Sequence, residues 1–172
     1  MKRILMFFAL ACFVLPVYAQ TLQCTFTQSR TIHASGKVIN SEGAISFEAP
    51  DHLNMVYSVP EGDYLIISGI VLSSCTNGQK MVVDTSKNPR FRSLRNTLLN
   101  CIMGEYETAA ADNDAELEVS EKNGTKTVKM TARKPQPRGY SQIVVDYNKK
   151  GHPVRMALEE FNGITTEYQF KY

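Results

Sequence analysis

The sequence has few of the residue patterns that carry catalysis or bind metals. Its three histidines, His33, His52 and His152, lie at neither metal-ligand nor helical spacing, and each stands beside a turn signal, so we expect them on the solvated surface. No G-x-S-x-G motif occurs, and no glycine-rich phosphate loop precedes a helix. Glu159 and Glu160 are neighbours that would point to opposite faces of a strand. These absences argue against an enzyme, a cofactor and a bound metal.

The charge balance argues against a nucleic-acid partner. The chain has 19 basic and 17 acidic residues, and the two signs balance once Lys2 and Arg3 of the N-terminal segment are set aside. Nucleic-acid binding needs a basic face, which a neutral domain does not supply by composition. For the same reason we expect no strong electrostatic attraction to anionic lipid.

The first 19 residues resemble a secretory signal. Lys2 and Arg3 precede an apolar run over residues 4–15, and Pro16 ends that run. Val17 and Ala19 supply small side chains at the two positions that a signal peptidase reads. The run is too short to span a bilayer comfortably. We therefore expect residues 1–19 to be cleaved and residues 20–172 to form one exported domain, large enough to bury roughly 70% of its unfolded surface.

Three cysteines remain in that domain, namely Cys24, Cys75 and Cys101. Three thiols allow at most one internal disulfide, and no C-x-x-C pair occurs. They are either small buried hydrophobic residues or one disulfide and a free thiol, since an exported domain meets an oxidising compartment.

Residues 43–69 carry the clearest strand pattern. Ile45 and Phe47 alternate with other residues before Pro50, and Leu53, Met55 and Tyr57 alternate after it. Because successive side chains of a strand point to opposite faces, the two runs form one apolar wall.

Residues 88–104 change from strand to helical periodicity. Asn88 can cap a helix, Pro89 suits its first turn and Gly104 suits its end. The apolar residues of this segment follow at helical spacing: Phe91, Leu94, Leu98 and Ile102. Such a stripe must cover an apolar surface, and the sheet is the available one.

The rest of the domain is a series of strands separated by turn signals such as Asn77-Gly78 and Asn123-Gly124. We count roughly ten strands and one helix, a mainly β domain. An antiparallel sheet of this size must curl into a barrel or an open half-barrel.

Several short motifs, taken in order, resemble the LolA-like periplasmic carriers, which move lipoproteins from the inner to the outer membrane of Gram-negative bacteria. The matching segments are residues 26–28 (F-x-Q), 43–50, 53–60, 66–69, and the closing Thr166, Tyr168 and Phe170. Cys24 before the first motif and residues 98–104 at the helix end are similar to LolA-like proteins of the Bacteroidetes.

This resemblance implies an open antiparallel half-barrel with a helical lid over an apolar cavity. It implies a periplasmic, monomeric carrier whose ligands are acylated lipoproteins or another acyl-chain compound, with a membrane release complex and an outer-membrane acceptor as partners. The family's inward side chains contact acyl chains. By position these are Phe26, Ile45, Phe47, Leu53, Met55 and Tyr57, with Phe91, Leu94, Leu98 and Ile102 on the lid.

Two departures concern the lid. The family commonly has arginine before the strand-breaking proline, where it helps to hold the lid shut, and this chain has Ala49 there. The family's helix before the first strand is also missing. Two alternatives therefore stand beside the lipoprotein carrier: a carrier of another envelope lipid or polyene product, and a structural or adhesive β-domain in which the wall and the helix form an ordinary closed core.

Overall fold

A computed structural model describes residues 21–135 and 139–172. The predicted signal segment 1–19 and the middle of the predicted loop 134–139 lie outside the described residues. The described chain forms eleven strands, two α-helices and a short 3-10 helix over Thr85–Lys87. In chain order the elements are β1 (Thr21–Ile32), β2 (Lys37–Glu48), β3 (His52–Val59), β4 (Tyr64–Ser68), β5 (Val71–Thr76), β6 (Gln79–Asp84), α1 (Pro89–Met103), α2 (Tyr106–Asp112), β7 (Ala115–Lys122), β8 (Thr125–Ala132), β9 (Tyr140–Tyr147), β10 (Pro153–Glu160) and β11 (Ile164–Lys171).

All eleven strands belong to one antiparallel sheet with the order β6-β5-β4-β3-β2-β1-β11-β10-β9-β8-β7. Every neighbouring pair is also consecutive in the chain except β1 and β11, which bring the two ends of the described chain together. β6 and β7 are the two edges, so the sheet stays open and does not close into a barrel. The predicted open antiparallel sheet is confirmed, with one strand more than the roughly ten expected.

The helices occupy the part of the chain between the two edges of the sheet. The chain leaves the sheet after β6, passes through α1 and α2, and re-enters it at β7. α1 begins with Pro89 at its first position and ends at Gly104, which adopts the left-handed conformation with φ 78°. These boundaries match the predicted helix 88–104. Among the described residues, no helix is both long and apolar enough to cross a membrane.

The prediction of a single helix was wrong, because α2 lies in the part of the domain that was predicted to contain only strands and turns. α2 has only seven residues, which is too short to show a helical period. Tertiary packing stabilises it instead. Ala109 and Ala110 are buried in the core, and the Asn113 side chain donates to the Thr97 hydroxyl of α1 at 3.0 Å.

One apolar cluster lies between α1 and the inner face of the sheet. Alternation along each strand sends every second side chain into it, as the sequence pattern requires. The largest of its fully buried side chains are Phe26, Leu53, Met55, Ile67, Leu72, Leu98, Ile102, Met130, Ile143 and Met156.

Gly43 is the point at which β2 changes register against β3. The pairing shifts between Glu42 and Gly43, so that Gly43 faces Tyr57. A Cβ atom on Gly43 would clash with the backbone oxygen of Val56 and the Cα of Tyr57. Only glycine permits this approach of the two strands. Beside it the Tyr57 ring packs edge-on against Phe26, with 5.1 Å between the ring centroids.

A polar ladder crosses the outer face of β9, β10 and β11. Arg155 donates to Glu167 at 2.8 Å and to Asp146 at 3.5 Å. The pKa of Glu167 lies below its ordinary value, chiefly because of the hydrogen bond from Arg155. These side chains are partly exposed, so the ladder adds modestly to the pairing of the strands.

Glu167→Gln should therefore destabilise the protein by up to about 1 kcal/mol at pH 7. A lowered folded-state pKa means that the ionised carboxylate stabilises the fold above its unfolded pKa, and this stabilisation disappears as the pH falls through the folded value. Urea unfolding of both proteins should show a difference at pH 7 that closes in the acid range below about pH 4.5. Glu118→Gln, which removes a more exposed carboxylate 3.6 Å from Lys129, is the matched control and should have a smaller effect. A difference that persists to pH 2 would contradict this account.

Candidate functional site

A cavity of about 390 Å³ lies between α1 and the inner face of the sheet. It opens at the end of the sheet where the β3–β4 and β5–β6 turns lie, so Pro60 and Asn77 stand on its rim. Its volume falls in the range of small-molecule sites. At roughly 30 Å³ for a group the size of water, it has room for something of the order of one acyl chain.

The walls of this cavity are mainly apolar. The inner faces of β4, β5 and β6 supply one wall, β10 and β11 supply the opposite wall, and the first half of α1 covers the space between them. The apolar and aromatic lining residues are Ile39, Tyr57, Tyr64, Leu65, Leu72, Met81, Phe91, Leu94, Leu98, Tyr140, Leu158 and Tyr168. Met81 adds a flexible side chain that can adapt to irregular ligands.

One corner of the cavity is polar. Tyr57 donates its hydroxyl hydrogen to Gln28 Oε1 at 2.7 Å, and Tyr168 stands beside Gln28 on the neighbouring strand β11. Burial raises the pKa of Tyr57 to about 12 and raises the pKa of Tyr168 well above its ordinary value. Both phenols are therefore neutral at physiological pH and can serve as hydrogen-bond donors.

Three other concavities of similar size have a different character. One, of about 480 Å³, lies on the outer face of β1, β2 and β11 and is lined mostly by hydroxyl, amide and carboxylate side chains. A second, of about 460 Å³, lies at the C-terminal end of α1 beside Lys126, Lys149 and Lys150. A third, of about 390 Å³, lies over β1 to β4 on the face away from α1 and is lined mostly by polar side chains such as Gln23, Glu48 and Asn54. None of the three has a continuous apolar wall, so the cavity under α1 is the candidate site.

The structure places the ten predicted site residues in two groups. Four line the cavity: Tyr57, Phe91, Leu94 and Leu98. The other six are no more than 3% exposed in the closed core: Phe26, Ile45, Phe47, Leu53, Met55 and Ile102. Contact of this second group with an acyl chain stays a prediction, and it requires α1 to move away from the sheet.

Several lining residues were not predicted as site residues, notably Leu65, Leu72, Met81 and Leu158. Each lies on a segment that the sequence identified as a strand. The register brings them to the cavity, because Met55 pairs with Leu65, and the paired residues of antiparallel strands share a face. The sequence contained the alternation of each strand but not the pairing that aligns one strand with the next.

Arg95 attaches α1 to the sheet. Its Nε donates to the carbonyl oxygen of Gly69 at 2.6 Å, and its Nη2 lies 3.8 Å from the Asp51 carboxylate. The side chain is only 19% exposed, which strengthens a charge-assisted hydrogen bond. Position 49, where the family commonly has arginine, is alanine in this chain. Here Arg95, on the helix itself, joins α1 to the sheet.

The thiols and histidines have no catalytic arrangement within the described residues. Cys24, Cys75 and Cys101 are free, so the disulfide alternative is not formed. Burial raises the pKa of the Cys101 thiol to about 12, which makes it a poor nucleophile. No group of three potential metal ligands occurs in the part of the chain that the structure describes.

The histidine prediction holds for two of the three residues. His33 and His52 are exposed. His152 is partly buried, and its ring centroid lies 5.0 Å from that of Tyr172, so packing of the C-terminal tyrosine covers it.

Comparison with known proteins identifies a family for this chain. The family described as "Outer membrane lipoprotein carrier protein LolA" matches residues 18–172. Among solved structures, the chain is similar to a LolA superfamily protein from Nitrosomonas europaea, with 8% identity, a TM-score of 0.39, and coverage of 90% of this chain and 85% of that one. It is also similar to the lipoprotein LppX of Mycobacterium tuberculosis, with 11% identity, a TM-score of 0.36, and coverage of 87% and 84%. No curated protein sequence matches the chain.

Arg95→Met should loosen α1, because it keeps the aliphatic stem but removes the hydrogen bond to Gly69. Loss of one hydrogen bond from a charged group should raise the population of the open form by about tenfold. The Cys101 thiol, fully buried on α1, reports opening through its rate of alkylation, measured by mass spectrometry. Cys24 on β1 is the internal reference, and Arg92→Met, at an exposed position of the same helix, is the control variant. Equal acceleration at Cys101 and Cys24 would indicate global destabilisation, and no acceleration at Cys101 would contradict an anchoring role.

Proposed function

The chain belongs to the LolA family of outer membrane lipoprotein carriers, and we propose that it shelters the acyl chains of lipoproteins in the periplasm for transfer to the outer membrane. The observation that carries the proposal is the apolar cavity between α1 and the inner face of the open sheet. In this proposal residues 1–19 direct export and residues 20–172 form the carrier, which acts as a monomer.

The need for such a carrier follows from the hydrophobic effect. Transfer of a methylene group from an apolar environment to water costs about 0.8 kcal/mol, so a long acyl chain costs on the order of 10 kcal/mol. An acylated protein therefore leaves a membrane very slowly unless another apolar environment receives the chain. The cavity walls provide that environment. They offset the free-energy cost of removing the chain from the membrane, and no covalent step is needed. The proposed activity is a cycle of binding and release, not catalysis.

A carrier must also release its ligand, and the two halves of α1 are attached to the sheet unequally, which suits release. Apolar packing holds the C-terminal half of α1, where Leu98 and Ile102 are fully buried. The N-terminal half is more exposed, with Phe91 and Leu94 only partly buried over the cavity. Arg95 lies between the two halves. We propose that α1 is the lid, that its opening begins at this half, and that a membrane release complex and an outer-membrane acceptor act on it.

A second candidate is a carrier of a different, single-chain envelope lipid. The cavity volume of about 390 Å³ favours it, since a lipoprotein with several acyl chains needs more room than the closed state offers. The lipoprotein proposal thus depends on α1 moving and opening part of the core, including Met55, whereas the single-chain proposal does not.

A photo-crosslinking side chain at Met81 should capture the ligand in cells. Met81 lines the cavity from the edge strand β6, so its substituent would lie against a bound acyl chain. Val82 is the matched control, because it is the next residue of the same strand, points to the opposite face and is 73% exposed. Crosslinks to acylated proteins at position 81 and not at position 82 are the expected result.

The crosslinked product also separates the two candidates. Capture of lipoproteins at Met81 supports the lipoprotein carrier. Capture of a free lipid, with the same lipid found by mass spectrometry in the purified protein, supports the second candidate. Equal, unselective capture at positions 81 and 82, together with protein that carries no lipid, would contradict both.

A further inference from the structure

Arg30 is the single basic residue among the side chains that line the cavity in the described part of the chain. It lies on β1, two residues beyond Gln28, and therefore on the same inner face of the sheet. Its cross-strand partners are Ile39 on β2 and Thr166 on β11. Leu158 continues this row on β10. Arg30 is exposed at this end of the sheet, so its guanidinium stays solvated while its side chain forms part of the lining of the cavity.

The described residues offer Arg30 no acidic partner within 4 Å, and none accepts a hydrogen bond from its side chain. The two acidic residues of the cavity lining are already engaged elsewhere. Asp63 accepts the backbone N–H of Asn77 at 2.8 Å, and Glu160 accepts from the Asn162 side chain at 3.0 Å. The guanidinium therefore has free donors at the entrance of an apolar cavity, next to the polar corner of Gln28, Tyr57 and Tyr168.

We propose that Arg30 binds the carbonyl end of the acyl ligand, so that the cavity recognises a chain by its carboxylate or ester oxygens as well as by its methylene groups. This inference rests on the proposed acyl-chain carrier and names the part of the ligand that fixes its orientation. The oxygens lie at Arg30, and the tail extends along Leu65, Leu72 and Met81 toward the underside of α1.

The geometry suits this division of roles. Ligand sites in proteins combine apolar walls with a small number of convergent polar groups that orient the ligand. Arginine presents several donors in a fixed plane that matches a carboxylate or a carbonyl oxygen. The Arg30 guanidinium could donate to the oxygens of a free fatty acid or of the acyl ester of a larger lipid or lipoprotein. An alkyl chain without a carbonyl group would not form this interaction.

The test compares three ligands with the same chain length: palmitate, monopalmitoylglycerol and hexadecanol. Each is titrated against the purified protein loaded with a neutral apolar dye, and the displacement gives its Kd. Palmitate should bind about tenfold more tightly than hexadecanol, as one hydrogen bond from a charged group provides. If monopalmitoylglycerol shares this advantage, the natural ligand class is an acyl ester. If only palmitate does, it is a free acid.

Arg30→Met should remove the preference over hexadecanol while leaving hexadecanol binding unchanged, and Arg30→Lys should restore part of the preference for palmitate. Lys37→Met is the matched control, because it removes one positive charge at an exposed position on the same end of the sheet but outside the cavity lining. It should keep the preference. Thermal unfolding of all variants checks that each folds.

The outcomes separate this inference from the function on which it rests. If none of the three compounds displaces the dye, the acyl-chain cavity itself is wrong. If all three bind equally, or if Arg30→Met retains the preference for palmitate, the carrier function stands and the role of Arg30 is overturned.

Discussion

The packing of α1 on the inner face of the open sheet is the contact on which the rest of this structure depends. A sheet with unpaired edges at β6 and β7 has a large apolar concave face, and exposure of that face to water is strongly unfavourable. α1 covers it with Leu98, Cys101 and Ile102, which are almost completely buried. Because a straight helix cannot contact a curved sheet along its whole length, α1 packs closely on one part of the inner face and leaves a cavity over the other part.

The interior consequently has two regions with different properties. Around Phe26, Met55 and Ile102 the side chains of sheet and helix interlock and exclude other atoms. Around Met81, Phe91 and Leu94 they do not meet, and the cavity remains. The filled region maintains the fold when no ligand is present, so the vacant region can exchange its contents. For the proposed single-chain carrier, stability and release would then depend on different residues, whereas the proposed lipoprotein carrier also needs part of the filled region to open.

Attachment of the helix combines nonspecific and specific contacts. Apolar burial has no preferred direction, whereas the hydrogen bond from Arg95 to Gly69 fixes one point of α1 relative to the β4–β5 turn. A second fixed point lies at the other end of the helix, where Tyr147 donates to the carbonyl oxygen of Cys101 at 2.7 Å. Alanine at position 49 therefore does not leave the helix unattached.

Much of the fold could be predicted because its signals are local. Alternation in residues 43–69, the Asn-Gly turns and the stripe from Phe91 to Ile102 each depend on residues close in the chain, and all appear in the structure. The antiparallel sheet and the length of α1 follow from these patterns. α2 did not follow, because seven residues contain too little periodicity and its stability comes from Asn113 and the buried alanines.

The sequence by itself determined which side chains point inward, since alternation depends only on backbone geometry. Only the tertiary structure decided which of them meet a neighbour and which face empty space. Met55 and Met81 illustrate the difference: both are inward methionines on strands, but one is sealed in the core and the other lines the cavity. The register between strands and the position of α1 separate them, and both arise from contacts between residues far apart in the chain.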